Sequence, residues 1–306
     1  YSAAITCTPS TPAPSLAVAL SSATPNFGAS VTITATPTNI TPTSYTFIVP
    51  LKDGTLTRIT QAGNTLVWIA VYTGAQTISV EATNGASVVA NETTVTVGYA
   101  FGNALTLNGT NWLTTPTNTL NQIIGNLTWT AEMWFNATSL ANFPMLIAST
   151  GGVNLFMELG VSNVYISTGA ALRTYTQALS TATRYQLLVV KTASGNNTSV
   201  YLNNTLLTVF SGTNNDIATQ AAAIYIGRYT SGGVEFNGKI KDVRFWLDYN
   251  PNSTQRAALY NSGNGAHPQA AGRFPDVWYW LQSDANDYGR LGLHATPSNS
   301  PTYTAF

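Results

Sequence analysis

The sequence has little of three things on which many functional sites depend, namely cysteine, histidine and charge. Its 306 residues include one cysteine and two histidines, and only 8% are charged, against roughly 25% in an average soluble domain. One cysteine excludes a disulfide framework within the chain. One cysteine and two scattered histidines also do not make a tetrahedral metal site. We therefore expect no cofactor, apart from the calcium ion considered below.

The few charges do not form a basic patch. Twelve Lys and Arg residues balance twelve Asp and Glu residues. The densest cationic group, Lys239, Lys241 and Arg244, is expected to be a solvated strand face and is too sparse to neutralise phosphates, so nucleic acid is not an expected partner. No apolar run approaches the roughly 18 to 20 residues of a membrane span, so no membrane insertion is expected.

The N-terminal residues give only weak indications of where the protein is located. The sequence begins at Tyr1 rather than Met, as removal of a secretion signal or a truncation would leave it. Cys7 is either incidental or the site of an intermolecular bond. The expected location is the extracellular surface, of a cell or of a virion.

What the sequence does have is residues that favour strands, because Thr, Val, Ile, Tyr and Trp are plentiful while Glu, Lys, Arg and Met are scarce. Residues 1–15 contain three prolines and predict an extended segment. About seven short alternating segments then follow in some 85 residues, the spacing of a β-sandwich. The segments 28–33, 45–47 and 77–84 resemble bacterial immunoglobulin-like and PKD-like modules.

Beyond a short hinge at 98–102, the motifs change and a second resemblance appears. It rests on an ordered series of segments: 104–109 (ALTLNG), 127–135 (LTWTAEMWF), 185–190 with 200–203, 224–227 (IYIG) and 236–245 (FNGKIKDVRF). This series resembles the concanavalin A-like, laminin-G-like jelly rolls, and 277–296 is similar to a segment often found beside them. The sequence thus predicts an all-β chain: an extended segment 1–15, an immunoglobulin-like β-sandwich 16–98 and a laminin-G-like jelly roll 99–306.

The stretch 234–261 is expected to organise the second domain. Alternation of Phe236, Ile240, Val243 and Phe245 with polar residues predicts a strand with one apolar and one wet face. A short helix, 254–260, should follow, with Ser253 as its N-cap and Asn261 or Gly263 at its end.

The acidic residues do not support catalysis. Retaining glycosidases with the concanavalin A-like fold carry Glu and Asp at alternating positions of one strand, and this chain has no E-x-D-x-E. The two histidines, His267 and His294, lie near no nucleophile motif. The protein is therefore expected not to be an enzyme. Glycoside hydrolase is the least favoured of the functions considered.

Aromatic side chains beside loops are the only ligand signal, because sugar C–H groups stack on aromatic faces. Each of them is otherwise explained by ordinary packing. The residues are Trp112, Tyr165, Tyr175, Tyr229, Trp246 and Tyr288. The laminin-G-like domains that this segment resembles sometimes hold calcium, for which Asp284 and Asp287 could offer oxygen ligands. Because the EF-hand spacing is absent, an Asx-rich turn is the preferred interpretation.

Two functions remain open. The first is a non-catalytic structural or adhesive surface subunit that assembles with copies of itself, since a low charge permits close packing of subunits and the extended N-terminal segment could add a strand to a neighbouring sheet. The second is a lectin-like module that binds a glycan. Expected partners are copies of the chain or a cell-surface glycan or protein.

Overall fold

The chain is all-β, as predicted, and divides into two compact units, Tyr1–Ala100 and Phe101–Phe306. The computed structural model describes residues 12–52, 54–99, 102–124, 128–150, 155–168, 172–193, 197–210, 221–229 and 234–306. Cys7 and most of the N-terminal segment lie outside the described residues, so the predictions made for them are not addressed.

In its described residues, the first unit has seven strands in two antiparallel sheets. One sheet has the order β1-β2-β5 and the other the order β4-β3-β6-β7. The strands are β1 (Ser15–Leu20), β2 (Ser30–Thr38), β3 (Ser44–Pro50), β4 (Leu56–Gln61), β5 (Thr65–Ile69), β6 (Gly74–Thr83) and β7 (Val88–Val97).

The core of this unit follows from the two-residue period of its strands. Along β2 the buried residues are Val31, Ile33 and Ala35, and the residues between them are more exposed, because successive side chains point to opposite faces of a sheet. The Trp68 indole of β5 donates a hydrogen bond to the carbonyl of Pro50, at the end of β3, over 3.0 Å. This bond links one sheet to the other.

The second unit contains fifteen described strands and two short helices. The strands up to the middle of the unit are β8 (Asn103–Asn108), β9 (Trp112–Thr114), β10 (Trp129–Ala137), β11 (Met145–Ser149), β12 (Leu155–Leu159), β13 (Asn163–Thr168), β14 (Leu172–Thr176) and β15 (Arg184–Thr192). The remaining strands are β16 (Asn197–Leu202), β17 (Thr205–Phe210), β18 (Ile224–Ile226), β19 (Asn237–Leu247), β20 (Val277–Tyr279), β21 (Thr296–Ser298) and β22 (Thr302–Ala305). The helices are α1 (Thr119–Ile124) and α2 (Ser253–Tyr260).

Two antiparallel sheets enclose the main core of this unit. The eight-stranded sheet has the order β17-β16-β15-β10-β19-β8-β22, with β20 paired to β19. The seven-stranded sheet has the order β14-β13-β12-β11-β18-β9-β21. Side chains from both sheets, among them Phe135, Val189, Met157 and Ile226, form one buried cluster. The last two strands separate, since β21 extends one sheet and β22 extends the other.

Strand β19 is where the structure departs most from the sequence prediction. The face expected to be solvated is covered, and Lys241 and Arg244 are both fully buried. A bulge at Asp242, whose φ is +52°, lies between them and changes the alternation. The expectation of a wet cationic face is therefore wrong.

Helix α2 begins one residue earlier than predicted. Its N-cap is Asn252 rather than Ser253: the Asn252 side chain accepts from the backbone N–H of Gln255, and the Gln255 side chain accepts from the N–H of Asn252. This reciprocal pair is a capping box, which satisfies two N–H groups at once. The helix ends at Asn261 in a left-handed conformation, as expected. Its Tyr260 ring lies parallel to Trp134 with ring centres 5.9 Å apart, which helps to cover the outer face of the eight-stranded sheet.

Candidate functional site

The outer face of the seven-stranded sheet carries a group of aromatic and polar side chains. In β12, Leu155, Met157 and Leu159 are buried in the core, and Phe156 and Glu158, which alternate with them, are half-buried on the opposite face. Hydrogen-bonded registers place Glu158 directly across from Tyr165 of β13 on one side and Met145 of β11 on the other.

A row of directly paired residues, one from each strand, crosses the whole seven-stranded sheet. The row runs through Leu172, Ser167, Phe156, Ala148, Tyr225, Thr114 and Thr296. Directly opposed residues on neighbouring strands point to the same face. We use the name aromatic face for the surface formed by Trp112, Phe156, Tyr165, Tyr225 and Tyr229.

A pocket in the aromatic face is lined by both a carboxylate and aromatic rings. It has a volume of about 220 Å³ and is lined by Met145, Phe156, Glu158, Tyr229 and Val234. Burial raises the pKa of Glu158 above its ordinary value, because removal from water disfavours the charged form. A partly desolvated carboxylate is a strong hydrogen-bond acceptor, and Tyr229, 37% exposed, offers a ring face beside it.

Two more of the predicted aromatic residues lie on this face. Trp112 of β9 is half-buried, with the Arg228 guanidinium 3.9 Å from its ring centre, and Arg228 also approaches Glu235 at 3.7 Å. Tyr165 is half-buried, and its hydroxyl accepts a hydrogen bond from the Asn163 amide over 3.3 Å. The structure therefore brings together Trp112, Tyr165 and Tyr229.

The structure does not place the other three predicted aromatics at this site. Tyr175 is only 2% exposed and packs edge-to-face on Phe210, with ring centres 4.9 Å apart. Trp246 is fully buried, and its indole donates to the Arg273 carbonyl over 2.9 Å. Neither ring presents a face to a ligand, so both expectations are corrected. Tyr288 is half-buried beside β20, away from the aromatic face; its hydroxyl donates to Asp284 over 3.0 Å, and burial and that carboxylate raise its pKa to about 12.

The two aspartates considered for calcium have other partners. Asp287 is buried and accepts hydrogen bonds from the backbone N–H groups of Trp278, Gly289 and Leu293, at 2.6 to 2.7 Å. Asp284 accepts from Asn286 as well as from Tyr288. The carboxylate oxygens of Asp284 and Asp287 therefore already accept hydrogen bonds from groups within the protein. They are poorly suited to bind a calcium ion, which needs six to eight oxygen ligands. Within the part of the chain that the structure describes, no group of three or more His, Cys, Asp or Glu side chains could hold a metal ion.

Three further buried charges, Glu132, Asp242 and Arg244, form a network on the outer face of the eight-stranded sheet. The Glu132 carboxylate of β10 accepts from Arg244 over 2.9 Å and from Gln186 over 2.7 Å. Asp242 contacts Arg244 at 3.2 Å and accepts from the Trp278 indole over 3.0 Å. Because all of these groups are buried, the network braces β10, β15, β19 and β20 and is closed to a ligand.

Sequence reasoning missed Phe156 and Glu158 as site residues. The signal was present in the segment LFMEL (155–159), whose alternation sets Phe156 and Glu158 opposite the apolar Leu155, Met157 and Leu159. What the sequence did not show was the pairing of β12 with β13, which places Glu158 beside Tyr165.

Comparison with known proteins agrees with this architecture. Residues 107–249 match the family described as the concanavalin A-like lectin/glucanases superfamily. This segment is a concanavalin A-like domain. It runs from the end of β8 to just beyond β19 and includes the candidate pocket. No curated protein matches the sequence.

Several solved structures resemble the chain at low sequence identity. A protein from Bacteroides ovatus ATCC 8483 with a proposed carbohydrate-binding role shares 14% identity and a TM-score of 0.52, over 96% of this chain and 92% of its own. The heptameric SAP-like pentraxin of Limulus polyphemus shares 12% identity and a TM-score of 0.47, over 67% of this chain and 95% of its own. The CBM40 module of the Ruminococcus gnavus IT-sialidase, bound to α2,3-sialyllactose, shares 9% identity and a TM-score of 0.41, over 55% of this chain and all (100%) of its own. Only the first of these scores indicates a shared fold.

In the described residues, no helix has both the length and the apolar character needed to cross a membrane.

Proposed function

We propose that the protein is a non-catalytic carbohydrate-binding protein whose ligand occupies the pocket between Tyr229, Phe156 and Glu158. The observation that carries the proposal is this combination of a partly exposed aromatic ring and a partly desolvated carboxylate in one concave site. Aromatic rings take the apolar face of a sugar, and a carboxylate accepts hydrogen bonds from its hydroxyl groups. The similarity in fold to a protein with a proposed carbohydrate-binding role supports the same conclusion.

The charge of the pocket argues for a neutral ligand. Glu158 would repel the carboxylate of a sialic or uronic acid. Arg228, a cation on this face, is held by Trp112 and Glu235. We therefore expect gluco-, galacto-, manno- or xylo-oligosaccharides rather than acidic glycans.

The absence of catalysis remains part of the proposal. Its support is that the sequence contains no E-x-D-x-E segment, the acidic pattern of retaining glycosidases with this fold, and that Glu158 and Glu132 lie apart. Glu158 lies on the outer face of the seven-stranded sheet, and Glu132 is buried on the outer face of the eight-stranded sheet, in an ion pair with Arg244.

A glycan array followed by calorimetry tests the proposal. The full chain should bind neutral oligosaccharides, and Tyr229→Ala and Glu158→Gln should each weaken binding about tenfold or more. Glu92→Gln, which changes an exposed carboxylate of the first unit, is the matched control and should bind as the wild type does. An array without hits, or variants that bind as tightly as the wild type, would contradict the proposal.

A structural or adhesive surface subunit, outside the cell and assembled from copies of the chain, is a second candidate. One observation favours it: β4 and β5 are edge strands of the first unit, and Leu56 and Val67 on them are 63% and 64% exposed. Exposed edges with apolar side chains are sites where another chain can pair.

We also propose that residues 16–98 are an immunoglobulin-like sandwich. In support, β1, β2 and β5 share one sheet while β3, β6 and β7 share the other, as strands A, B, E and C, F, G do in that fold. Strand β4 joins the second sheet.

A further inference from the structure

A second pocket lies beside the first on the same sheet. It has a volume of about 330 Å³ and is formed by the loop before β11 and the turn between β12 and β13, with Phe143 and Tyr165 as its aromatic walls. Tyr165 is the cross-strand neighbour of Glu158, which lines the first pocket. The two pockets are therefore adjacent, and the Glu158–Tyr165 pair lies between them.

The second pocket has the same mixture of groups as the first. Phe143 is 51% exposed and meets Tyr165 edge-to-face, with ring centres 5.7 Å apart. Asn142, Ser162 and Asn163 add amide and hydroxyl groups to its lining. Aromatic faces surrounded by a few hydrogen-bonding groups suit a sugar ring, which has apolar C–H faces and polar edges.

The backbone holds Phe143 outward at a cost in stability. Asn142 and Phe143 have φ values of +60° and +53°, a left-handed conformation that asparagine tolerates but that costs Phe143 roughly 1–2 kcal/mol. Gly160 leaves room for the Tyr165 ring, since a Cβ there would lie 3.2 Å from that ring; it would lie 3.5 Å from the Phe143 ring, an ordinary contact. An exposed, strained aromatic residue contributes little to folding, which favours a role in contact with a ligand.

We propose that the second pocket is a further sugar subsite and that the ligand is a chain of linked sugars spanning both pockets. This inference rests on the carbohydrate-binding function proposed above. Neighbouring strands lie about 4.8 Å apart, so the path from Tyr165 on β13 across β12 to Met145 on β11 is about 10 Å. An extended oligosaccharide of two or three units covers that path, whereas one sugar fills only one pocket.

The test measures how affinity depends on chain length. Calorimetry with neutral gluco-, galacto-, manno- and xylo-oligosaccharides of one to six units should show that wild-type affinity rises from one unit to two or three and then levels off. In Phe143→Ala, binding of the longer chains should fall about tenfold while binding of the single sugar stays within twofold. Leu206→Ala, which removes a similarly exposed apolar side chain (47%) from the other sheet, is the matched control and should change neither.

A second variant keeps the test independent of any local rearrangement at Phe143. Gly160→Ala adds a methyl group between the two rings and should also reduce the gain with chain length. The subsite proposal would be contradicted if the affinity of the wild type did not rise with the length of the oligosaccharide. It would also be contradicted if Phe143→Ala and Gly160→Ala both kept the same rise in affinity as the wild type. Loss of the gain in these variants with intact single-sugar binding supports the subsite, whereas absence of binding to every probe contradicts the carbohydrate-binding function itself and the subsite with it.

Discussion

The burial of Lys241 makes the stability of this protein depend on pH in a specific direction. Its side chain is fully buried, and its ammonium donates to the Asn103 carbonyl over 2.7 Å, with the Trp280 ring centre 5.5 Å away. Burial lowers the pKa of Lys241 from 10.5 to about 8, although Asp242 beside it favours the charged form.

The sign of the effect follows from proton binding. Between pH 8 and pH 10.5 the unfolded chain holds a proton on Lys241 that the folded chain releases, so the free energy of unfolding rises with pH in this window. The stabilising contribution of deprotonated Lys241 is complete above the pKa of this group in the unfolded chain. It is lost as the pH falls through the pKa of Lys241 in the folded chain. With pKa values of 10.5 and about 8, the linkage relation gives a gain of about 2.5 kcal/mol between pH 7 and pH 10.

Lys241→Met isolates this contribution, because it removes the titrating group and keeps the shape of the side chain. Urea unfolding at pH 7, 8, 9 and 10 can be followed by tryptophan emission, which reports mainly on the second unit, since Trp68 alone lies in the first. The wild type should gain about 2.5 kcal/mol relative to Lys241→Met over this range. Lys239→Met removes a less buried charge from the same strand and serves as the control. A wild-type-to-variant difference that stays constant from pH 7 to pH 10 would refute the reasoning.

Two further predictions concern the buried ion pair and the first unit. Glu132→Ala should lower the free energy of unfolding by about 3–5 kcal/mol, because Arg244 stays buried without that carboxylate. Glu132→Gln should lower it by about 1–3 kcal/mol. A loss below about 1 kcal/mol for Glu132→Ala, measured by urea unfolding, would contradict this. If the first unit assembles through its β5 edge, light scattering should give a mass above 32.5 kDa for the wild type, and Val67→Lys should return the monomer. A wild-type mass of 32.5 kDa at every concentration would argue against assembly.

Much of the fold could be predicted from local patterns. The two-residue period predicts strands because it is a property of neighbouring residues, and it held along segments such as Val31 to Ala35 and Leu155 to Leu159. The error at the start of α2 was also local. Asn252 and Ser253 are both good N-caps, and only Gln255, three residues after Asn252, decides between them.

The solvent exposure of a strand face could not be predicted in the same way. Alternation showed that Lys241 and Arg244 oppose the apolar core residues of β19, but not that β20 and the segments flanking it would cover them. The bulge at Asp242 adds a residue, so that Phe245 enters the core and Trp246 lies on the opposite face near α2. Packing between distant segments decides both outcomes, and the local sequence does not carry that information.

The candidate site was predicted in part. Trp112, Tyr165 and Tyr229 lie on one face because β9, β13 and the loop after β18 belong to the same sheet region. Tyr175 was misjudged although its segment LRTYT alternates, with Thr174 and Thr176 exposed and the ring buried. The acidic residues were considered only as catalytic pairs, and Glu158 has no acidic residue two positions away; a binding site does not require such a pair.

A crystal structure of the protein with the neutral oligosaccharide that binds best tests the central claim most directly. We predict one sugar ring stacked on Tyr229, with a hydroxyl group within hydrogen-bonding distance of the Glu158 carboxylate. A ligand bound on the first unit, or on any part of the second unit away from the aromatic face, would contradict the account.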